Sequence, residues 1–206
     1  MRLPALAGFG AVAFAVVALT GCSSTSSPAS ALPPSSVPSS AHAQAAPEAA
    51  RVGAAGSGCE LPVSFGLQAS WRPQAVRVDA GDPLAGLARR GTLTMVCEID
   101  AKPAGNIGYL RVYTGKTDDL RAALTAFAGT EAQNAVYTDL RIGGRPALEV
   151  TYQAKSQLED ALEPERAFVV QAGSKLVAVA LDSFDSDEHA AMTPAFELAR
   201  SSLTVP

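Results

Sequence analysis

Three short stretches carry residue types and spacings that could do chemistry. In GKTDDLRAALTAF, residues 115–127, Gly115-Lys116-Thr117 stands between a strand-like and a helix-like segment, as the end of a phosphate-binding loop does. That loop wraps phosphates with backbone N–H groups and needs a glycine five residues earlier, where this chain has Leu110. A plain helix start accounts for the same residues: Thr117 as N-cap, Asp118 and Asp119 at the positive helix end, then Leu120, Ala123, Leu124 and Phe127 as one apolar stripe. In DSFDSDEH, residues 182–189, Asp182, Asp185, Asp187, Glu188 and His189 suggest a calcium loop or an acid–base pair. The spacing lacks the calcium-loop pattern and its turn glycine, and acids ahead of a helix are stabilising for dipole reasons alone. A Ser-His-Asp hydrolase would have to use His189, since the only other histidine, His42, lies in a Ser/Ala/Pro-rich segment. There is no Gly-x-Ser-x-Gly, His-Glu-x-x-His or Cys-x-x-Cys, and no complete glycine-rich dinucleotide fingerprint. We therefore expect no catalytic residues, no metal site and no cofactor.

The third stretch, ALTGCSSTSSP at residues 18–28, holds Cys22 just after the one long apolar run, residues 3–19. Arg2 makes a minimal positive start before that run, the layout of a targeting segment. Leu19-Thr20-Gly21-Cys22 resembles the bacterial lipobox, in which small residues let an extended backbone enter a peptidase and the thiol accepts a diacylglycerol. The resemblance implies that residues 1–21 are a lipoprotein signal peptide and that Cys22 is an anchor rather than a catalyst. An uncleaved signal anchor or an ordinary secretory signal are the alternatives, because the apolar run is near the length that spans a bilayer. With two or three acyl chains on Cys22, a protein is held stably on the extracytoplasmic face of the cell membrane.

Residues 23–57 are mostly Ser, Ala and Pro and contain almost no large apolar side chain. Such a segment buries too little to offset its ordering entropy, so residues 22–58 are expected to be a lipidated cysteine and a disordered tether, which O-glycosylation could also use. Residues 59–206 then form a single domain. Once Cys22 is acylated, Cys59 and Cys97 are the only thiols left, and export puts them where two cysteines usually pair as a disulfide; two buried free thiols are the alternative. The chain carries a formal charge of −4 and no basic run longer than Arg89-Arg90, which argues against nucleic acid as a partner.

The elements that would position these residues follow from periodicity. Val63, Phe65 and Leu67 alternate as on a half-buried strand, with Trp71 at the turn after it. Asp82-Pro83 opens a short helical turn through Leu84 and Leu87 that ends at Gly91. Residues 92–99 and 107–114 read as antiparallel strands around a turn at 103–108. After the helix come two hairpins, turning at Gly143-Gly144-Arg145 and Gly173-Ser174-Lys175. The second hairpin is apolar on both faces, which predicts a central place in the sheet. Met192, Ala195, Phe196, Ala199 and Leu203 recur at helical spacing, with a kink or restart expected at Thr193 because of Pro194. Glu149, Glu159, Asp160, Glu163 and Glu165 are expected to face solvent, on strand faces or in a polar loop at 155–165.

This order of elements, with Pro194-x-Phe196 ahead of Ser-Ser-Leu-Thr-Val, resembles the PsbP-like domain and in particular the LpqN/LpqT-like lipoproteins of actinobacteria. The resemblance covers residues 61–206. It implies an α+β fold, an antiparallel sheet flanked by helices on both faces in an α/β/α sandwich, used for binding or assembling partners rather than for catalysis. Photosynthetic members are associated with metal sites, but with His189 as the domain's one histidine that role is not carried over. The expected function is thus a membrane-anchored envelope lipoprotein that binds a protein partner or an apolar ligand; an extracytoplasmic enzyme with an unrecognised site and a structural surface lipoprotein are the alternatives. Tyr109, Arg111 and Tyr113 alternate on one strand face and are the candidate contact residues, since desolvated Tyr and Arg dominate binding energy. Packing of the tyrosines under a helix is the competing reading, and Leu110 and Val112 should face the other way.

Overall fold

The computed structural model describes residues 44–79, 81–83, 85–116, 119–156 and 160–206. Cys22, His42, the tether up to residue 43, Leu84, Thr117, Asp118 and Glu159 lie outside the described residues. Among the described residues, chain packed into the fold begins ahead of the boundary at residue 59 that composition suggests. Its first strand, β1 (Ala50–Val52), pairs antiparallel with β2 (Phe65–Leu67). This N-terminal strap is held mostly through its backbone, which composition does not report: Ala49 N donates to Leu67 O at 2.9 Å and Ala46 N to Pro194 O at 2.9 Å. Arg51 adds a side-chain clamp, donating to Glu48 at 3.0 Å and to Ser202 O at 2.9 Å. Val52, the strap's one large apolar side chain in a strand, is fully buried.

The main sheet is antiparallel throughout. It is built from β3 (Arg72–Ala75), β4 (Arg89–Arg90), β5 (Leu93–Asp100), β6 (Gly108–Gly115), β7 (Gln133–Ile142), β8 (Arg145–Lys155), β9 (Leu162–Ala172) and β10 (Lys175–Ser183). The spatial order is β3-β5-β6-β10-β9-β8-β7, with β4 alongside β5. The central place of the doubly apolar hairpin follows, since β10 sits between β6 and β9. Gly143 and Gly144 close the β7–β8 hairpin at φ of 56° and 75°, the left-handed pair that a tight turn matching strand twist requires.

Side-chain alternation along β10 divides the core in two. Val177, Val179 and Leu181 pack with Met192 and Phe196 of α2 (Ser186–Ser202), and Phe168 meets Phe196 edge-on at 5.4 Å. Leu176, Ala178 and Ala180 pack with Leu124 and Phe127 of α1 (Leu120–Ala128). Leu110 and Val112 of β6 fall in the first of these clusters and Tyr113 in the second, as strand period requires. Cys59 and Cys97 are joined in a buried disulfide with their Cα atoms 5.9 Å apart, tying the strap's exit to β5.

Several local expectations are corrected. Asp119 caps α1, its carboxylate accepting from Ala122 N at 2.5 Å, two residues later than the Thr117 expected from sequence. α2 runs unbroken through Pro194, so of the kink or restart expected at Thr193 there is no restart. The carbonyl that loses its partner to a proline is four residues back, at Ala190, which is exposed and can turn to water. The turn after Asp82 is a 3-10 turn over Ala85–Ala88 that leads directly into β4. Glu149 is the largest departure. It is 6% exposed rather than solvent-facing, because Arg166 and Arg200 converge on it.

Candidate functional site

β5, β6, β8, β9 and β10 together floor an open cleft of about 830 Å³. Its position follows from strand alternation: every second residue of β6, namely Tyr109, Arg111 and Tyr113, turns toward it. Arg111 is the middle of the floor. Its Nε donates to Glu98 Oε1 at 2.8 Å, its terminal nitrogen pairs with Asp182, and its guanidinium lies over the Tyr109 ring at 4.9 Å. The planar fork is thus held by two carboxylates and a ring, which fixes its orientation.

A second arginine sits deeper. Arg90 donates to the Tyr152 hydroxyl at 2.6 Å, approaches Glu165 at 4.0 Å and stacks over Phe127 at 4.3 Å. Burial pushes the Tyr152 hydroxyl up to about 12, outweighing the pull of Arg90, so it stays protonated at neutral pH. Burial likewise raises the Glu165 carboxyl, against the attraction of Arg90 and Arg111.

The structure brings Tyr109, Arg111 and Tyr113 to the same cleft, but not to equal availability. Tyr113 is 3% exposed and meets Phe127 edge-on at 4.9 Å, so it is a packed wall under α1. Tyr109 and Arg111 keep part of their surface open. Sequence reasoning missed the rim. Among the described residues five large apolar side chains are exposed, and three of them, Leu87, Ile107 and Phe184, stand around this cleft. Leu87 reads as part of a short helical turn and Ile107 as the start of a strand, and neither pattern tells which residues of other turns stand beside them.

The acidic stretch ahead of α2 is engaged in holding the helix. Asp185 accepts from Glu188 N at 2.8 Å, Glu188 accepts from Ile107 N at 3.0 Å, and Glu163 accepts from the Ser186 hydroxyl at 2.6 Å. Ser183 Oγ lies 3.3 Å from His189 Nδ1, a contact across the start of one helix, while nearby Asp182 is paired with Arg111. No group of three His, Cys, Asp or Glu suited to a metal occurs among the described residues.

His189 itself titrates abnormally: burial, and then the charge of Arg166, push it down to about 4, with Glu163 opposing. A base whose folded pKa lies below its ordinary 6.5 stabilises the fold fully above that pH. The contribution declines as pH falls below 6.5 and is lost as pH passes about 4. Urea denaturation at a series of pH values should therefore show the wild type losing stability over this window, and His189→Gln losing less. Parallel curves for the two chains would contradict this.

The sequence matches, over residues 29–203, a family described as uncharacterised lipoprotein. Comparison with curated proteins gave no match. Among solved structures the fold is similar to the solution structure of cyanobacterial PsbP (CyanoP) from Synechocystis sp. PCC 6803, with 16% identity, a TM-score of 0.47, and 76% of this chain and 92% of that chain covered. It is also similar to LpqN, involved in cell envelope biogenesis of Mycobacterium tuberculosis, with 12% identity, a TM-score of 0.46, and 70% of this chain and 83% of that chain covered.

Proposed function

The chain belongs to the uncharacterised lipoprotein family, and on that premise we propose that it is an acylated envelope protein whose domain binds a protein partner without chemical turnover. The acyl chains sit on Cys22 and hold the domain on the extracytoplasmic face of the cell membrane. This reading is supported by the Leu-Thr-Gly-Cys step at the end of the apolar run. We read the domain as a sandwich, with α2 over one face of the sheet and α1 over the other; the two separate side-chain clusters along β10 support that layering.

One observation carries the binding role: the gathering of Leu87, Ile107 and Phe184, respectively 78%, 59% and 52% exposed, around a floor of fixed Arg, Glu, Asp and Tyr side chains. Exposed apolar groups that converge on one concavity mark an interaction site, whereas scattered ones do not. The floor argues for a protein over a purely apolar ligand. A lipid tail would have to desolvate Arg111, Glu98 and Asp182 without offering them hydrogen bonds, whereas a peptide brings backbone groups that can. Apolar side chains of the partner would cover the rim while its polar groups meet Arg111 and Tyr109.

The test is crosslinking from intact envelope with the acylated chain. Leu87→Ser, Ile107→Ser and Phe184→Ser combined should cut the captured partner at least about tenfold, since each exposed anchor of this kind is worth about 1 kcal/mol or more when it is desolvated in an interface. Asp187→Asn, on the helix start outside the cleft, should capture as wild type does. In the same preparation Cys22→Ala should move the domain out of the membrane fraction. Undiminished capture by the rim variant would end the cleft reading, and a membrane-held Cys22→Ala would end the anchor reading.

A further inference from the structure

The two ends of the main sheet are finished differently. At one end β3 is four residues long, contains Pro73, and is crowded by the 53–60 segment, where a Cβ on Gly58 would come within 2.7 Å of Pro73 O. A short edge with a proline and a covering loop is protected against further pairing. At the other end β7 runs ten residues without a proline, and among the described residues nothing pairs with its outer side.

Which groups β7 presents outward follows from its register with β8. Ile142 opposes Arg145 across the two-residue Gly143-Gly144 turn, so that pair exchanges backbone hydrogen bonds, and so in alternation do Leu140–Ala147 and Thr138–Glu149. The N–H and C=O groups of Arg141, Asp139 and Tyr137 consequently point away from β8. Pro146 opposite Arg141 agrees, since it has no N–H to offer. The first part of β7 is different: the register shifts between Gln133 and Val136, and Asn134 has φ of 53°. That irregularity removes the start of the strand from a flat edge and leaves residues 137–142 as the usable segment.

We propose that this segment pairs antiparallel with β7 of a second copy of the chain, centred on Leu140, to join the two sheets edge to edge. Charge complementarity selects both the occupant and the register. With Leu140 opposite Leu140, Asp139 of each copy lies directly opposite Arg141 of the other, and both residues are among those whose backbone groups point outward. Two such pairs exchange four backbone hydrogen bonds and place opposite charges on one face, twice. Moving the register by two residues would set Asp139 against Asp139, which like-charge repulsion disfavours. Asp139 and Arg141 are exposed, and Asp139 has no ion-pair or hydrogen-bond partner among the described residues, so neither has to leave a buried site. Leu140 is half-buried and would be covered further. The interface is small for a free dimer, and confinement of copies to one surface raises their effective concentration enough for a weak pairing to be populated. This last point rests on the lipid anchor; the edge geometry does not, and it is independent of the cleft.

The experiment uses the full-length chain in its own membrane. Leu140→Cys places two thiols at a directly opposed pair and should give, on mild oxidation, a crosslinked dimer that reduction reverses. Val136→Cys should give none, because in this register its two copies lie about 27 Å apart at about 3.4 Å per residue. The wild-type chain is the blank for Cys22. A second arm keeps the Leu140→Cys reporter in the membrane: adding Asp139→Arg or Arg141→Asp should each reduce the crosslinked dimer at least about tenfold, and the two together should return it to within about twofold of Leu140→Cys alone. Equal crosslinking at Val136→Cys, a double variant as monomeric as the single ones, or an adduct of Leu140→Cys with a different protein would each overturn the proposal.

Discussion

Replacing Cys59 and Cys97 together by serine should lower the unfolding free energy by about 4 kcal/mol, the loop-closure entropy that a crosslink of this length removes from the unfolded chain. The two cysteines are 38 residues apart in sequence, and the bond between them is buried, so no competing solvent term offsets the loss. Against a typical domain stability of about 5–15 kcal/mol this is a large fraction. The position of the bond adds a local effect. It joins the end of the strap to β5, and the strap is otherwise held by few side chains, so opening should begin there. Urea denaturation of the double variant should show the lower midpoint, and hydrogen exchange should show residues 46–60 losing protection ahead of β9 and β10. A variant with an unchanged midpoint would mean that the reduced chain keeps the same restriction by other contacts.

Glu197→Ala should cost about 3 kcal/mol, the lower end of what breaking a buried ion pair costs. Glu197 and Glu149, with side chains 7% and 8% exposed, are bridged by Arg166 and Arg200 into a closed four-membered network under α2. Arg166 Nη2 lies 2.7 Å from Glu149 and 2.6 Å from Glu197, Arg200 lies 2.8 Å from Glu149 and pairs with Glu197, and the Arg166 guanidinium covers Phe196 at 4.6 Å. Removing one acid leaves two guanidiniums facing a single carboxylate in a site that is mostly shut off from water. Replacing all four residues by apolar ones of similar volume should behave differently, with stability unchanged or higher, because the desolvation of four charges disappears along with their attraction. Denaturant midpoints of the two variants decide the matter. A quadruple variant as unstable as Glu197→Ala would show that the network contributes more than it costs to bury.

Much of the fold was legible because the deciding information lies within a few residues. The pair Gly143-Gly144 marks a tight hairpin turn whatever surrounds it, since glycine takes two left-handed positions in succession at no steric cost. The stripe Ala123, Leu124, Phe127 identifies the buried side of α1, and the run from Leu176 to Leu181, apolar on both faces of β10, predicts a central strand. Cys59 and Cys97 are the two cysteines beyond the Ser/Ala/Pro-rich segment, and the pairing expected of them is the one the structure has. Alternation along β6 was enough to put Tyr109, Arg111 and Tyr113 on one side of the sheet.

What the tertiary structure alone decided involves contacts between residues far apart in the chain, for which no local pattern exists. Glu149 looks like an ordinary strand-surface carboxylate until Arg166 and Arg200, 17 and 51 residues away, are brought to it and make its burial tolerable. The strap at 44–53 has the composition of a tether, yet its backbone amides find acceptors on β2 and α2, and backbone hydrogen bonding is independent of side-chain composition. The cleft rim draws Leu87, Ile107 and Phe184 from three different turns. Singly each is an unremarkable exposed residue, and only the closing of the sheet puts them around one concavity, because proximity in space depends on the path of the whole chain, while periodicity reports only which side of its own element a residue faces.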